Sequence, residues 1–324
     1  MSKPRIFIDG HAGTTGLRIR DWLAGRDDLA LWTLEEAERK SAPARKKAIA
    51  EADLTVLCLP DAAAIEAGLW ATESGGRLID ASSSHRVSEG WVYGLPELEG
   101  DHRSAIANAQ LVSNPGCYPS AFIPLIRPLV DEKILATDVA LSIHGLSGFS
   151  GGGKALIERW TDPERGRVGL AYEAPYALDK IHKHLPEMQR YAALEHAPQF
   201  IPAVGPFACG MRVEVPIHCS QLRLGATAEI VWQILTDRYA GEPFIEVAEF
   251  HSLEQQDEDP LDDFSLDPQL LNDTNRLRLH VLPNAGGHVL LVGILDNLGK
   301  GASGVAIQSL NLMLGLGEET GLPV

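Results

Sequence analysis

Residues 5–16 read RIFIDGHAGTTG, a short apolar run closed by glycines at the spacing G-x-x-G-x-x-G, after which Leu17, Ile19, Trp22 and Leu23 continue at helical spacing. Strand, glycine turn and helix in this order open a dinucleotide-binding unit. Glycines let the backbone approach a pyrophosphate, and the N–H groups at the start of the helix meet its charge. The string is near G-x-G-x-x-G without matching it, so its weight comes from its place between strand and helix. Gly10, Gly13, Thr14, Thr15 and Gly16 are therefore the expected cofactor loop. Outward from it, apolar runs at 29–32, 53–59, 77–80 and 109–112 alternate with helical segments near 43–51 and 61–73. That alternation predicts an α/β architecture, a Rossmann-like, doubly wound parallel sheet. Glu35 and Glu36 stand near the end of the second strand, where an acidic residue would take a ribose hydroxyl, but Arg39 and Lys40 follow and suit a 2′-phosphate. Locally, NAD and NADP stay open.

Beyond residue 117 the pattern changes. Runs at 139–143, 211–217, 226–234, 276–282 and 289–295 are longer and often alternate, predicting strands of a mixed or antiparallel sheet in a second, α+β domain. Residues 302–314 carry apolar side chains at helical spacing and are expected to return to the first domain. The expected division is a cofactor domain, 1–116 completed by 299–324, and a catalytic and oligomerisation domain, 117–298. The chain has 324 residues and a formal charge of −16, which repels nucleic acid and anionic bilayers on average. Its cysteines, at 58, 117, 209 and 219, form neither a disulfide framework nor a Cys-x-x-Cys metal pair. MSKPRIFIDG runs straight into a strand without a signal h-region, and no apolar stretch reaches membrane-spanning length, so a soluble cytoplasmic protein is expected. The acidic stretch 254–263 reads as a solvated loop.

Chemistry concentrates at Asn114-Pro115-Gly116-Cys117-Tyr118-Pro119. Asn-Pro-Gly is a tight turn, and Pro119 with Ala121, Phe122, Leu125, Ile126 and Leu129 predicts a helix, which places the Cys117 thiol at a helix N-terminus where the thiolate is favoured. Cys58, inside an apolar strand, reads as a structural thiol. Arg86, after the fourth strand, and Lys154, in the glycine-rich run 147–153, are candidate anion donors, with Asn114 grouped beside them as substrate-binding.

Together with the glycine loop, NPGCYP, SGFSGGGK at 147–154 and HKHLPE at 182–187 resemble the shorter branch of the N-acetyl-γ-glutamyl-phosphate reductase family. The resemblance covers nearly the whole chain and implies NADPH-dependent reduction of an acyl phosphate to a semialdehyde through a cysteine thioester, in arginine biosynthesis. It tips the cofactor to NADP. It places histidines at His182 and His184; His184 is the candidate acid/base, with Glu187 three residues on to orient it, and His182 is assigned to substrate. His144 is the runner-up base. Asn297, Gly299 and Gly301 are carried over as nicotinamide-side residues. His182 and His184 lack a nearby third ligand, so no metal is expected. A small-molecule acyl phosphate and a homo-oligomer, dimer or tetramer, are the expected partners. The rival readings are an aspartate-semialdehyde-like enzyme, a reductase acting on a carrier-linked acyl phosphate, and a non-enzymatic dinucleotide sensor.

Overall fold

The computed structural model describes residues 3–11, 13–164, 166–253 and 266–323, so the acidic stretch 254–263 lies outside the described residues. The chain divides into two compact units, Met1–Gly116 with Ala302–Pro323, and Cys117–Gly301.

In the first unit, β1 (Arg5–Asp9), α1 (Thr14–Leu23), β2 (Ala30–Trp32), α2 (Ala42–Glu51), β3 (Leu54–Leu57), α3 (Asp61–Ser74), β4 (Leu78–Asp80), β5 (Val92–Tyr93), α4 (His102–Asn108) and β6 (Leu111–Ser113) follow one another. The strand order is β2-β1-β3-β4-β6-β5, with every pair parallel. β3 is buried at all four positions, as a parallel strand covered on both faces must be. Ala64, Ala67 and Ala71 share one face of α3 and are fully buried; their small side chains bring the helix close to Phe7, Leu57 and Leu78. Burying each of the larger three contributes about 1.5–3 kcal/mol. β5 and α4, with no clear periodicity of their own, were not anticipated.

The second unit contains α5 (Cys117–Asp131), β7 (Ser142–Ser147), α6 (Gly153–Thr161), β8 (Ala174–Pro175), α7 (Leu185–Tyr191), β9 (Gln199–Val204), β10 (Met211–Ile217), α8 (Ala228–Arg238), β11 (Ile245–Val247), β12 (Leu277–Pro283) and β13 (Val289–Leu295). Its mixed sheet runs β11-β12-β13-β10-β7-β9-β8. The strand expected at 226–234 is instead α8. Its apolar residues suit either period, and the capping decides: Thr227 accepts from the Ile230 N–H at 3.3 Å, Glu229 sits in the first turn, and Val231 and Leu235 are buried one turn apart.

α5 begins two residues before the proline expected to open it and contains Pro124 and Pro128. Pro128 has no N–H for the Pro124 carbonyl one turn back, and the Tyr239 hydroxyl donates to that carbonyl at 2.9 Å.

After β13, a wide turn over Gly299–Ser303, with the Gly301 N–H donating to Asp296 O at 3.0 Å, leads to α9 (Gly304–Met313). α9 packs against α4, β4 and α1. Arg26 Nη1 donates to Asn311 Oδ1 at 2.8 Å and Gln308 Nε2 to Glu97 Oε1 at 2.7 Å, so its buried amides are satisfied within the first unit. Among the described residues, no helix is long and apolar enough to cross a membrane.

Candidate active site

In the first unit the strand order reverses direction between β1 and β3, the switch point at which open parallel sheets bind ligands. Gly10 leaves β1 there with φ +89°, and a Cβ on it would lie 2.3 Å from the Cys58 carbonyl oxygen at the end of β3. A Cβ on Gly16 would lie 2.6 Å from Gly10 O, so the first and last glycines let the turn fold onto itself. At Gly13 the nearest atom would be 3.6 Å away, which is ordinary contact. Gly13 precedes Thr14, Thr15 and Gly16 at the start of α1, and no side chain caps that helix end. Open first-turn amides beside a tight glycine turn fit a pyrophosphate.

Next to this turn is a cavity of about 190 Å3 lined by Gly10, His11, Leu34, Arg39, Lys40 and Leu59, among others. Its one acidic lining residue is Asp9, whose Oδ2 accepts from Arg45 Nε at 2.8 Å. Burial pushes the Asp9 carboxyl up despite that partner. Glu35 and Glu36 do not line the cavity, whereas the two basic residues do, so the basic side of the choice left open above is the one that reaches the space.

At the carboxyl ends of β4 and β6, Arg86 and Asn114 come together. Arg86 is buried and its Nε donates to Asn114 O at 3.1 Å; Asn114 Nδ2 donates to Ala302 O at 2.9 Å, while Asn114 Oδ1 is buried with no hydrogen-bond partner among the described residues. A buried orphan acceptor costs about 1–3 kcal/mol and is relieved by a ligand that donates to it. Beside Arg86, His85 bonds Asp80 Oδ2 through Nδ1 at 2.6 Å and stacks on Trp91 at 3.9 Å between centroids. This support was not foreseen, because Trp91 and Asp80 carry no motif.

In the second unit Cys117 is the first residue of α5 and half-buried. Tyr118 follows it into the core. A Cβ on Gly145 of β7 would lie 2.4 Å from the Tyr118 ring, so that glycine makes the room. The ring sits 5.8 Å from His184 and 6.2 Å from His182, whose own rings are 4.7 Å apart. Desolvation pushes Tyr118 well up, and the neighbouring Tyr176 and Cys117 add to the shift. Tyr176 is pushed up to about 12 by desolvation first and by Cys117 second. The sequence offered no signal for Tyr176, which lies 59 positions from Cys117. The two histidines do not lie on a strand. His184 stands at the N-cap position of α7, without a side-chain capping bond, and is buried; the His182 ring accepts from the His184 N–H through Nδ1 at 3.3 Å and stands 3.4 Å from the Tyr176 hydroxyl through Nε2. Glu187 is buried in the first turn of α7.

His144 is corrected by strand parity. Its neighbour Gly145 faces Tyr118, so His144 faces the opposite side of the sheet. There Glu214, directly opposite on β10, and Glu173 hold its two ring nitrogens at 2.9 and 3.2 Å. Lys154 is also displaced from its expected role: it lies on α6 rather than in a loop, 81% exposed and 3.7 Å from Glu158. The glycine run before it folds on its own chain, since a Cβ on Gly148 would meet Ala208 O at 2.3 Å. Asn297 is buried between Ser150 Oγ and the Gly210 N–H, at 3.0 and 2.8 Å, and the place of a Cβ on Gly299 is taken by Thr274 O at 2.1 Å. Gly301 borders Cys117: a Cβ there would stand 2.9 Å from Cys117 Cβ.

Residues 25–109 match the model of the semialdehyde dehydrogenase NAD binding domain, and 117–297 that of the semialdehyde dehydrogenase dimerisation domain. N-acetyl-gamma-glutamyl-phosphate reductase of Trichormus variabilis is 44% identical over 99% of this chain and 100% of its own length. The protein of that name from Burkholderia orbicola is 45% identical over 97% and 98%. The chain belongs to the N-acetyl-gamma-glutamyl-phosphate reductase family. Among solved structures, aspartate semialdehyde dehydrogenase II of Vibrio cholerae superposes with a TM-score of 0.73 over 97% of this chain and 99% of that one, at 16% identity. The Candida albicans aspartate semialdehyde dehydrogenase crystallised with NADP gives 0.66, also at 16%. These two share the fold; the family is set by the closer relatives, whose whole length this chain spans.

Proposed function

We propose that this chain reduces N-acetyl-L-glutamyl 5-phosphate to N-acetyl-L-glutamate 5-semialdehyde with NADPH, releasing phosphate, in arginine biosynthesis in the cytoplasm. The observation that carries the chemistry is a half-buried thiol on the first residue of a helix, with two histidines packed around the tyrosine that follows it. Near-full-length identity to the named reductases supplies the substrate.

The first unit carries the dinucleotide. Gly10, Gly13, Thr14, Thr15 and Gly16 hold its pyrophosphate on the start of α1, and Arg39 and Lys40 receive the 2′-phosphate that makes NADPH the preferred form. Bound NADPH supplies a hydride to the acyl carbon. Cys117 Sγ attacks the acyl-phosphate carbonyl, the C–O bond to phosphate breaks, and a thioester forms. After reduction, the thiohemiacetal oxygen loses its proton as the C–S bond breaks, releasing the aldehyde and restoring Cys117. His184, held by the turn into α7 and oriented with Glu187, moves the protons in these steps. His182 and Tyr176 line the same cluster and position substrate. Arg86 and Asn114 are assigned to the substrate's anionic and donor groups, and Asn297, Gly299 and Gly301 are assigned to the nicotinamide side, Gly301 leaving room beside Cys117. The second unit also carries self-association into a dimer or tetramer.

The test runs the reaction backward. N-acetylglutamate semialdehyde, phosphate and NADP⁺ are mixed with the protein and NADPH absorbance is followed, with aspartate semialdehyde and NAD⁺ as comparisons. NADPH should appear with the first set and at least about tenfold more slowly with either replacement, a difference of about 1.4 kcal/mol in the barrier. Equal or faster turnover of aspartate semialdehyde would overturn the substrate, and no turnover at all would favour a dinucleotide sensor.

A further inference from the structure

Outside the reaction centre, His218, Cys219 and His288 form the one cluster among the described residues with a metal-binding donor set; one atom from each lies within 4.8 Å of the others. Their meeting follows from register. β10 and β13 pair antiparallel up to Ile217 opposite Val289, and one further step sets His218 opposite His288. Cys219 is the next residue, in the single helical turn Cys219–Gln221.

The surroundings hold the donors in place and leave them accessible. His288 Nδ1 accepts from the Cys219 N–H at 3.1 Å, and His218 Nδ1 accepts from the Ser220 N–H at 3.2 Å, so the acceptor nitrogen of each ring is Nδ1, its lone pair is engaged by a backbone N–H, and an ion binding there replaces that contact. The rings stand 4.4 Å apart. In the β12–β13 turn, Gly287 has φ +77°, and a Cβ there would come within 3.7 Å of Cys219 Cβ, so the turn is narrow where it faces the thiol. Cys219 and His218 are exposed and His288 partly so, which gives an ion a way in.

We propose that His218, Cys219 and His288 bind one zinc-like divalent ion through a thiolate and two imidazoles, with water completing a tetrahedron. Bonds of about 2.0–2.1 Å to nitrogen and 2.3 Å to sulfur need the donors to close by roughly an ångström from the present spread. Exposed side chains on two turns can supply that by rotation. Thiolate and imidazole select zinc, cobalt or copper over magnesium or calcium. The site is separate from the reaction: it lies at the Val289 end of β13, whereas Gly301, which borders Cys117, packs on Leu295 at the other end, about 20 Å along the strand.

Cobalt(II), added to the reduced full-length chain, reads the geometry directly. One equivalent should give a near-ultraviolet thiolate-to-cobalt band with visible bands of a four-coordinate ion, both removed by zinc. Cys219→Ser should abolish the near-ultraviolet band, and His288→Ala and His218→Ala should each weaken binding at least about tenfold. Cys117→Ser should leave the spectrum unchanged, and reductase activity in the three surface variants reports that they fold. Absence of a saturable band, a band that survives Cys219→Ser or is lost in Cys117→Ser, or binding indifferent to both histidines would overturn the site.

Discussion

Four cysteines share one chain, and their surroundings separate them. Burial, with Asp80 and Asp9 nearby, pushes the Cys58 thiol up to about 12, so it stays protonated and inert at neutral pH. Cys117 opens a helix instead. Cys117→Ser should therefore remove turnover while NADPH still binds, whereas Cys58→Ala should keep the chemistry; near-wild-type turnover in the serine variant would take Cys117 out of the mechanism. Within the histidine pair, His184 is buried at the start of α7, while His182 is tied to Tyr176. His184→Ala is expected to cut kcat by about 10²–10⁴-fold, the usual loss of an acid/base, and His182→Ala to act mainly on KM. A larger kcat loss in His182→Ala would exchange the two roles. Arg86 donates through Nε to Asn114 O, a contact that lysine cannot reproduce. Arg86→Lys should thus lower kcat/KM by about ten- to a hundredfold, like loss of a charged hydrogen bond worth roughly 1.5–3 kcal/mol. Unchanged kcat/KM in both Arg86→Lys and Arg86→Ala would make this arginine structural.

At the scale of elements, α5 shows how Cys117 is held by a helix that contains prolines. Its face is buried almost throughout, and of the two carbonyls that its prolines leave without a helical donor, those of Ser120 and Pro124, the second is taken by Tyr239 from the end of α8. Tyr239→Phe leaves that buried oxygen without a donor and should destabilise the protein by about 1–3 kcal/mol, measured by urea unfolding. An unchanged midpoint would show the carbonyl satisfied by water. The helical start at Cys117 was legible from NPGCYP because turn and capping chemistry is local. The stretch 226–234 reads as a strand in the sequence because alternating apolar residues suit both periods, whereas Ala228–Arg238 is a helix. Only its Thr227 cap and its packing on α5 and β12 choose between them.

Over the whole molecule, the large mixed sheet carries a group that links stability to pH. Burial, helped by Arg278, lowers His280 to about 4, and its Nε2 has no hydrogen-bond partner among the described residues. The unfolded histidine takes up a proton near 6.5 and the folded one near 4, so the unfolded state binds more protons between these values. Above pH 6.5 both states are neutral and there is no proton-linked cost, and stability falls as pH drops through the window, by at most about 3 kcal/mol. His280→Phe cannot titrate. The difference in unfolding free energy between wild type and this variant should shift in favour of the variant from pH 7 to pH 4.5, and a constant difference would refute the assignment.

The amino-acid sequence alone determined the parallel, doubly wound first unit, the glycine turn at its switch point and the thiol at a helix start. Each rests on periodicity, turns or caps within a few residues, and neighbouring residues carry that information themselves. The tertiary structure decided which face His144 takes, that Arg39 and Lys40 rather than Glu35 and Glu36 reach the cavity, that Tyr118 and Tyr176 join His182 and His184, and that Lys154 is a surface charge. It also brought His218 to His288 across 70 positions. These outcomes depend on strand register and on which faces pack, and a one-residue shift would reverse them. Such pairings are settled by long-range burial, which leaves little trace in local spacing.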